Sequence, residues 1–481
     1  MTVSSINDGR ISNKYLLGLI LVITLSFYAV SIPYGFISHD DPQYIFQNQH
    51  VISPSLVNIF NSATLTVFDW TPIVTISHAI EYKLFGFYTP AFRCTEILLH
   101  LTSIVLLFKL FLKLEVPELL ALLAVFIFAV HPLNVETVAW MSVRKNILAL
   151  IFGTLFISAY LDKKWIVASF WMLLALGSKG TSFIFPFMAI ALSKDKNWRA
   201  MLKPPELVWN VIFISMGLLR ICISMISQWE VVNILESIDL SFMERMSITC
   251  RVILLQTWQF FFPNNLSFSY IWQSVSWFYP PVWGSFLIIC TTLGLLLYLA
   301  KDNRRIYIGL VFLVLGYLPT ANIVLAPYFQ ADRYAHISLI GAALIVCELL
   351  SLKLLQIKYV ATAIMVWYFL ILLPFGIKEI RKWRDGETLW TSVLQRNPDD
   401  LKSLYRLSQH FLYSGQYDKA QVILEQVLSK DPGHPGAKFN IAVRYESIGQ
   451  RDKAFKIIER MRRDRPGDPK VETFFNILKD K

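Results

Sequence analysis

The stretch Tyr15-Leu-Leu-Gly-Leu-Ile-Leu-Val-Ile-Thr-Leu-Ser-Phe-Tyr-Ala-Val30 carries no charged residue, and its apolar character runs on to Phe36. A helix needs roughly 20 mainly apolar residues to cross the hydrocarbon of a bilayer. No small-residue cleavage site interrupts the run, so it reads as a retained span and not as a cleavable signal. The same ruler finds apolar stretches near 92–112, 118–133, 146–161, 164–180, 181–193, 206–227, 282–300, 305–320, 334–352 and 358–377. They predict an all-α fold, a polytopic helical membrane domain over residues 1–380 with about eleven to thirteen spans. Composition agrees: 55% of the 481 residues are hydrophobic and 16% are charged, against ~25% charged in soluble domains. Disorder is excluded by that apolar content. The five cysteines (Cys94, Cys222, Cys250, Cys290, Cys347) lie in or beside apolar runs, so they read as small buried hydrophobes and not as a disulfide framework.

The formal net charge of +11 follows from the tendency of Lys and Arg to collect in cytoplasmic loops and needs no nucleic-acid partner. Arg10 and Lys14, Lys109 and Lys113, Lys163 and Lys164, the Lys194–Lys203 cluster, Lys301–Arg305 and Lys353–Lys358 mark the inner face. Segments 37–91, 134–145, 228–281 and 321–333 then fall outside, provided the amphipathic stretch 246–262 makes no net crossing. That reading has eleven spans and an external C-terminus, with Arg381, Lys382 and Arg384 arguing weakly against the last point.

After Lys378 the chain changes character. Pro398, Pro432 and Pro466 are spaced by 34 residues, as are the pairs Gly415 and Gly449, Asp418 and Asp452, Lys419 and Lys453, and Ala420 and Ala454. This is the period of a tetratricopeptide repeat. The spacing predicts a helix carrying Leu404, Leu407 and Phe411, a turn at Gly415, and a second helix carrying Ala420, Leu424 and Val427. Ile441, Tyr445, Gly449, Ala454 and Ile458 repeat the pattern, and a capping helix follows at Val471–Leu478. The second domain is therefore a short solenoid over 388–481, either a rigid spacer or a concave surface for a peptide or protein.

Four groups between the apolar runs or at their edges are candidates for chemistry. Ile37-Ser-His-Asp-Asp-Pro-Gln-Tyr44 sets Asp40 and Asp41 side by side at a membrane boundary, where adjacent carboxylates are costly unless they serve topology, a metal or a reaction. Held at one site, they suit a general base, and a divalent cation is the alternative occupant. His131, Glu136, Arg144 and Lys145 form a second group, whose two cations sit on the face that the topological bias disfavours. A phosphate is their natural partner, and snorkelling interface charges are the alternative. Lys179 lies in a break between apolar runs. In Ala331-Asp-Arg-Tyr-Ala-His336, Asp332 is placed to orient Arg333, and Arg333 and His336 are one helical turn apart. Acid on one loop and bases on three others, all on one face, favour chemistry between a lipid-linked phosphate and an external acceptor. Phe262-Pro-Asn-Asn-Leu-Ser-Phe-Ser-Tyr270 with Trp272, Trp277, Phe278 and Tyr279 reads as an aromatic belt or a sugar-stacking groove. A Walker-type glycine loop, HExxH, paired CxxC and GxSxG are absent from the sequence.

Together, Asp-Asp-Pro-x-Tyr at 40–44, His-Pro-x-x-x-Glu-x-Val-Ala-Trp-x-Ser-x-Arg-Lys at 131–145, Ser-Lys-Gly at 178–180, Leu-Ser-Phe-Ser-Tyr at 266–270 and Ala-Asp-Arg-Tyr at 331–334 resemble the transmembrane and tetratricopeptide-repeat O-mannosyltransferase-like proteins of the GT-C glycosyltransferase superfamily. The resemblance covers nearly the whole chain, with about two repeats in place of a longer array. It implies transfer of a sugar from a polyprenyl-phosphate donor to an external or luminal acceptor, such as Ser or Thr hydroxyls of proteins, with inversion. Asp40 or Asp41 would be the base. Arg144, Lys145, Lys179 and Arg333 would meet the donor phosphate, with His131, Glu136, Asp332 and His336 supporting. The implied setting is a bacterial inner membrane with a periplasmic active site, or the endoplasmic reticulum with a luminal one. A lipid-linked sugar flippase and a membrane-anchored repeat scaffold are the competing classes. For an enzyme, deletion of 388–481 is expected to raise the KM for a protein acceptor and to spare slow transfer to a small one.

Overall fold

The computed structural model describes residues 8–62, 69–193, 204–227, 240–270, 272, 279–323, 328–351 and 358–480. The Lys194–Lys203 cluster, Lys353, Trp277 and Phe278 lie outside the described residues. Among the described residues the chain is all-α, without a strand. It forms two compact units, Met1–Tyr34 with Pro42–Arg381, and Gly35–Asp41 with Lys382–Lys481.

In the first unit a helix occupies each apolar stretch of the sequence, from Asp8–Ala29 through Thr89–Lys113, Arg144–Leu161 and Glu206–Ser227 to Lys358–Lys382. Five segments are long and apolar enough to cross a membrane: Thr89–Lys113, Met141–Leu161, Glu206–Ser227, Pro280–Ala300 and Asp332–Ser351. Glu118–Val130 and Pro132–Ala139, bent by 58°, make a sixth if they are one broken span, and Lys14–Ala29, Trp165–Ser178 and Gly180–Leu192 are apolar but shorter. Counting apolar runs, as in the expected eleven to thirteen, therefore includes helices that do not reach span length individually. The amphipathic stretch is one helix, Phe242–Phe261, and the segment 37–91 read as external loop contains the helices Gln49–Ile52, Leu56–Ser62 and Pro72–Phe85.

The bend in the broken span has a local cause. Pro132 has no N–H to continue the helix, and the freed groups are met nearby. The Leu133 N–H donates to His131 Nδ1 at 3.1 Å, and the Asn134 amide donates to the Phe128 carbonyl at 3.0 Å. Non-helical backbone at membrane depth persists only where such partners exist.

The helices Arg304–Tyr317 and His336–Ser351 touch backbone to backbone. A Cβ on Gly341 would overlap the Gly309 carbonyl oxygen and the Leu313 nitrogen, the small-residue approach by which membrane helices gain packing contact. Backbone cannot swing aside as a side-chain end can. Gly341→Leu is therefore expected to destabilise by at least the ~1–3 kcal/mol of overpacking, seen as a lower unfolding temperature in detergent.

The second unit carries the helices Gly386–Leu394, Leu401–Tyr413, Tyr417–Lys430, Pro435–Ser447, Arg451–Asp464 and Pro469–Asp480. The apolar positions taken from the repeat line its core: Leu404, Leu407, Phe411, Leu424, Val427, Ile441 and Ile458 are buried, and Ala420 and Ala454 are fully so. Gly415 and Gly449 adopt φ of 73° and 75°, the left-handed turn conformation that a side chain resists. Asp385 caps the first of these helices, accepting from the Thr388 N–H at 2.7 Å. Burial raises the Asp385 carboxyl, but hydrogen bonds from Thr388 and Arg384 outweigh it and hold the pKa below the ordinary carboxylate value.

Candidate functional site

Charged residues inside apolar helices find one another in the first unit. The Arg144 guanidinium reaches Glu81 and Glu96, each at 2.7 Å, with the Ser77 hydroxyl at 3.3 Å and the Phe92 ring at 5.8 Å. Arg144, Glu96 and Glu81 are all buried. Two carboxylates surround this cation, for which the sequence predicts a phosphate partner. His131 is equally committed: beyond capping at Nδ1, its Nε2 lies 3.0 Å from the Phe260 carbonyl and its ring stacks on Phe260.

Arg333 has a different setting. Its backbone N–H donates to Glu136 Oε2 at 2.9 Å and its guanidinium is bonded to the same carboxylate. Four rings surround it, Trp140, Phe268, Tyr328 and Tyr334, with centroids 5.2–5.9 Å away. This cation–π box holds a planar cation in one orientation. The acid that orients Arg333 is thus Glu136. Asp332 accepts instead from the phenol of Tyr270 at 2.6 Å, and that phenol in turn accepts from the Gln259 amide and the Ser267 N–H.

Lys179, Arg333 and His336 line a single cleft together with Asn146, Thr181, Thr320 and Tyr334. His336 is tied by Nδ1 to Asn134 Oδ1 at 2.6 Å, and Asn146 donates to the Arg333 carbonyl at 3.2 Å. Lys179 stands in the break between helices Trp165–Ser178 and Gly180–Ile184 and has no ion-pair partner among the described residues. Lys145, Arg333, Asp69 and Glu136 are the charged side chains that bear on it electrostatically.

Lys145 is held by its surroundings, with Nζ 2.9 Å from the Tyr44 hydroxyl, 4.6 Å from the Tyr44 ring centroid and 3.9 Å from Asp69. Asp69 also receives Arg220 at 3.1 Å, and Arg220 donates further to the Leu176 and Trp70 carbonyls at 2.9 Å. Asp69, Glu81, Glu96 and Arg220 are not among the sequence candidates, and Tyr44 enters there only as part of a motif. Arg220 and Glu96 carried a signal, since an ionised side chain within an apolar helix calls for a partner. Asp69 carried none.

Asp40 and Asp41 belong to the second unit. Asp41 is fully buried and its Oδ2 accepts from the Ile37 N–H at 2.7 Å. The Asp40 side chain is 38% exposed and lies 3.6 Å from His39 Nε2, and the residue has φ of 61°. Strained backbone of this kind concentrates at functional sites. Among the described residues no group of three or more His, Cys, Asp or Glu side chains is gathered to hold a metal ion.

Comparison with known proteins adds three findings. Residues 411–474 match the tetratricopeptide repeat family. The chain is 22% identical over 355 residues to the protein O-mannosyl-transferase F38B6.6 of Caenorhabditis elegans, a match covering 71% of this chain and 51% of the relative. The chain thus spans about half the length of the curated relative it matches. Among solved structures, ArnT from Cupriavidus metallidurans bound to undecaprenyl phosphate aligns with 94% of this chain and 81% of its own, at 14% identity and a TM-score of 0.39. This chain is therefore an integral membrane protein similar in sequence to a protein O-mannosyl-transferase, with tetratricopeptide repeats in its C-terminal unit.

Proposed function

We propose that this chain is a membrane glycosyltransferase that moves a sugar from a polyprenyl-phosphate donor to a Ser or Thr hydroxyl of a protein acceptor, on the external or luminal face. The observation that carries this reading is that Lys179 and Arg333, far apart in sequence, line one cleft in a chain similar to a protein O-mannosyl-transferase. The acceptor hydroxyl gives its proton to a carboxylate as its oxygen attacks the anomeric carbon. The bond from that carbon to the phosphate oxygen breaks, and the polyprenyl phosphate leaves with the electron pair. Charge grows on the phosphate during this step, where fixed cations in a site poor in water are most effective. Arg333 offers a planar fork and Lys179 a point charge. Lys145 is a nearby reserve already shared with Asp69, and Arg144 is left out because Glu81 and Glu96 satisfy it.

Asp40 is assigned as the base. Its side chain is accessible, whereas Asp41 is spent on the Ile37 N–H. Asp40→Asn removes the base and is expected to cost about 10²- to 10⁴-fold in turnover. Asp41→Asn keeps an oxygen that accepts the Ile37 N–H and is expected to cost far less. The measurement is transfer from a radiolabelled polyprenyl-phosphate sugar to a peptide by purified protein. A larger loss in Asp41→Asn overturns the assignment, and vesicle flux of the lipid-linked sugar without covalent transfer overturns the function.

A further inference from the structure

The acidic segment is built into the repeat unit although more than 340 residues separate them in sequence. The Gly35 N–H donates to the Arg384 carbonyl at 3.3 Å. The His39 ring stands edge-on to Trp390, 5.5 Å away at 85°, and Trp390 is itself buried. Gly386 leaves the space the segment needs, since a Cβ there would lie 2.6 Å from both Ser38 Oγ and His410 Nδ1. Within the segment, the Asp41 N–H donates to the His39 carbonyl at 2.7 Å and the Asp41 carboxylate returns to the Ile37 N–H. Residues 37–41 thus form a tight turn whose apex residue, Asp40, has left-handed backbone. Such a conformation holds only where its surroundings over-determine it. Those surroundings come from the helices Gly386–Leu394 and Leu401–Tyr413.

We infer that Gly386 and Trp390 are positioning residues for Asp40, so that the tetratricopeptide unit sets turnover and not only acceptor affinity. The inference rests on the proposed transfer reaction and deepens it. It also reverses the sequence expectation for deletion of 388–481: removing the repeats removes the support of the acidic turn, so transfer to a small acceptor fails as well.

The test uses the full chain and a short hydroxyl-bearing peptide, an acceptor too small to report on recruitment. Gly386→Ala and Trp390→Ala are expected to lower kcat about 10- to 10²-fold, as displaced catalytic groups do, with the KM for the lipid-linked donor changed by less than about twofold. Trp390→Phe, which restores a ring for His39, is expected to recover most of the rate. Unchanged kcat with the peptide, accompanied by a raised KM for a protein acceptor, overturns the inference. A second readout needs no activity: amide hydrogen exchange across 35–41 is expected to quicken in both variants while Tyr417–Lys430 stays protected. Exchange that does not quicken also overturns the inference. Gly386→Ala adds one methyl group and decides the matter if Trp390→Ala unfolds the unit. Wild-type protein inactive with every polyprenyl-phosphate sugar ends the transferase reading instead, and the exchange result then decides the positioning claim alone.

Discussion

Arg333→Ala is expected to lose about 10²- to 10³-fold in kcat, the cost of removing one preorganised charge partner from a developing anion. The guanidinium is fixed by the Glu136 carboxylate and by four rings, so little reorganisation is left for the moment of reaction. Arg333→Lys keeps the charge but neither the fork nor the stacking, and it is expected to recover only part of the rate. Glu136→Gln leaves Arg333 charged but loosely held, so its loss should fall between the two. The assay is single-turnover transfer with donor in excess, alongside thermal unfolding to separate chemistry from folding. Full turnover in a folded Arg333→Ala protein would remove this residue from the phosphate site.

The second large effect is on stability. Arg144→Met takes from the buried Glu81 and Glu96 the guanidinium that both contact, and breaking a buried pair from one side costs about 3–5 kcal/mol. That is a large share of the ~5–15 kcal/mol by which native proteins are stable. Arg144→Met should therefore reach the membrane poorly folded, with low yield and a broad early elution by size-exclusion chromatography. Adding Glu81→Gln and Glu96→Gln removes the stranded charges and is expected to restore most of the yield. Two ion pairs of 2.7 Å on one guanidinium make this a property of the network. A well-folded Arg144→Met with weakened donor binding would return Arg144 to the phosphate set.

These cases show how far local pattern carries. Arg144 and Lys145 are neighbours in sequence, so local pattern treats them alike. One is enclosed by carboxylates contributed from 48 and 63 positions upstream, and the other leans on Tyr44 and Asp69. Lys179 and Arg333, which nothing local connects, line the same cleft. Asp332 sits beside Arg333 in the chain, yet its bond is to Tyr270, and the more distant Glu136 holds the arginine.

By itself the sequence determined the helices, their apolar character and the repeat period, because each is a property of residues a few positions apart: the bilayer selects runs of apolar side chains, and the 34-residue spacing returns Gly415, Ala420 and their counterparts to equivalent places in the stack. Tertiary structure alone decided which cation is enclosed by carboxylates, which basic side chains share a cleft, and that residues 35–41 fold with the repeats and not with the helix before them. The cause is that ion pairing and burial depend on distance through space, and a charge seen in sequence does not announce the partner that folding brings to it.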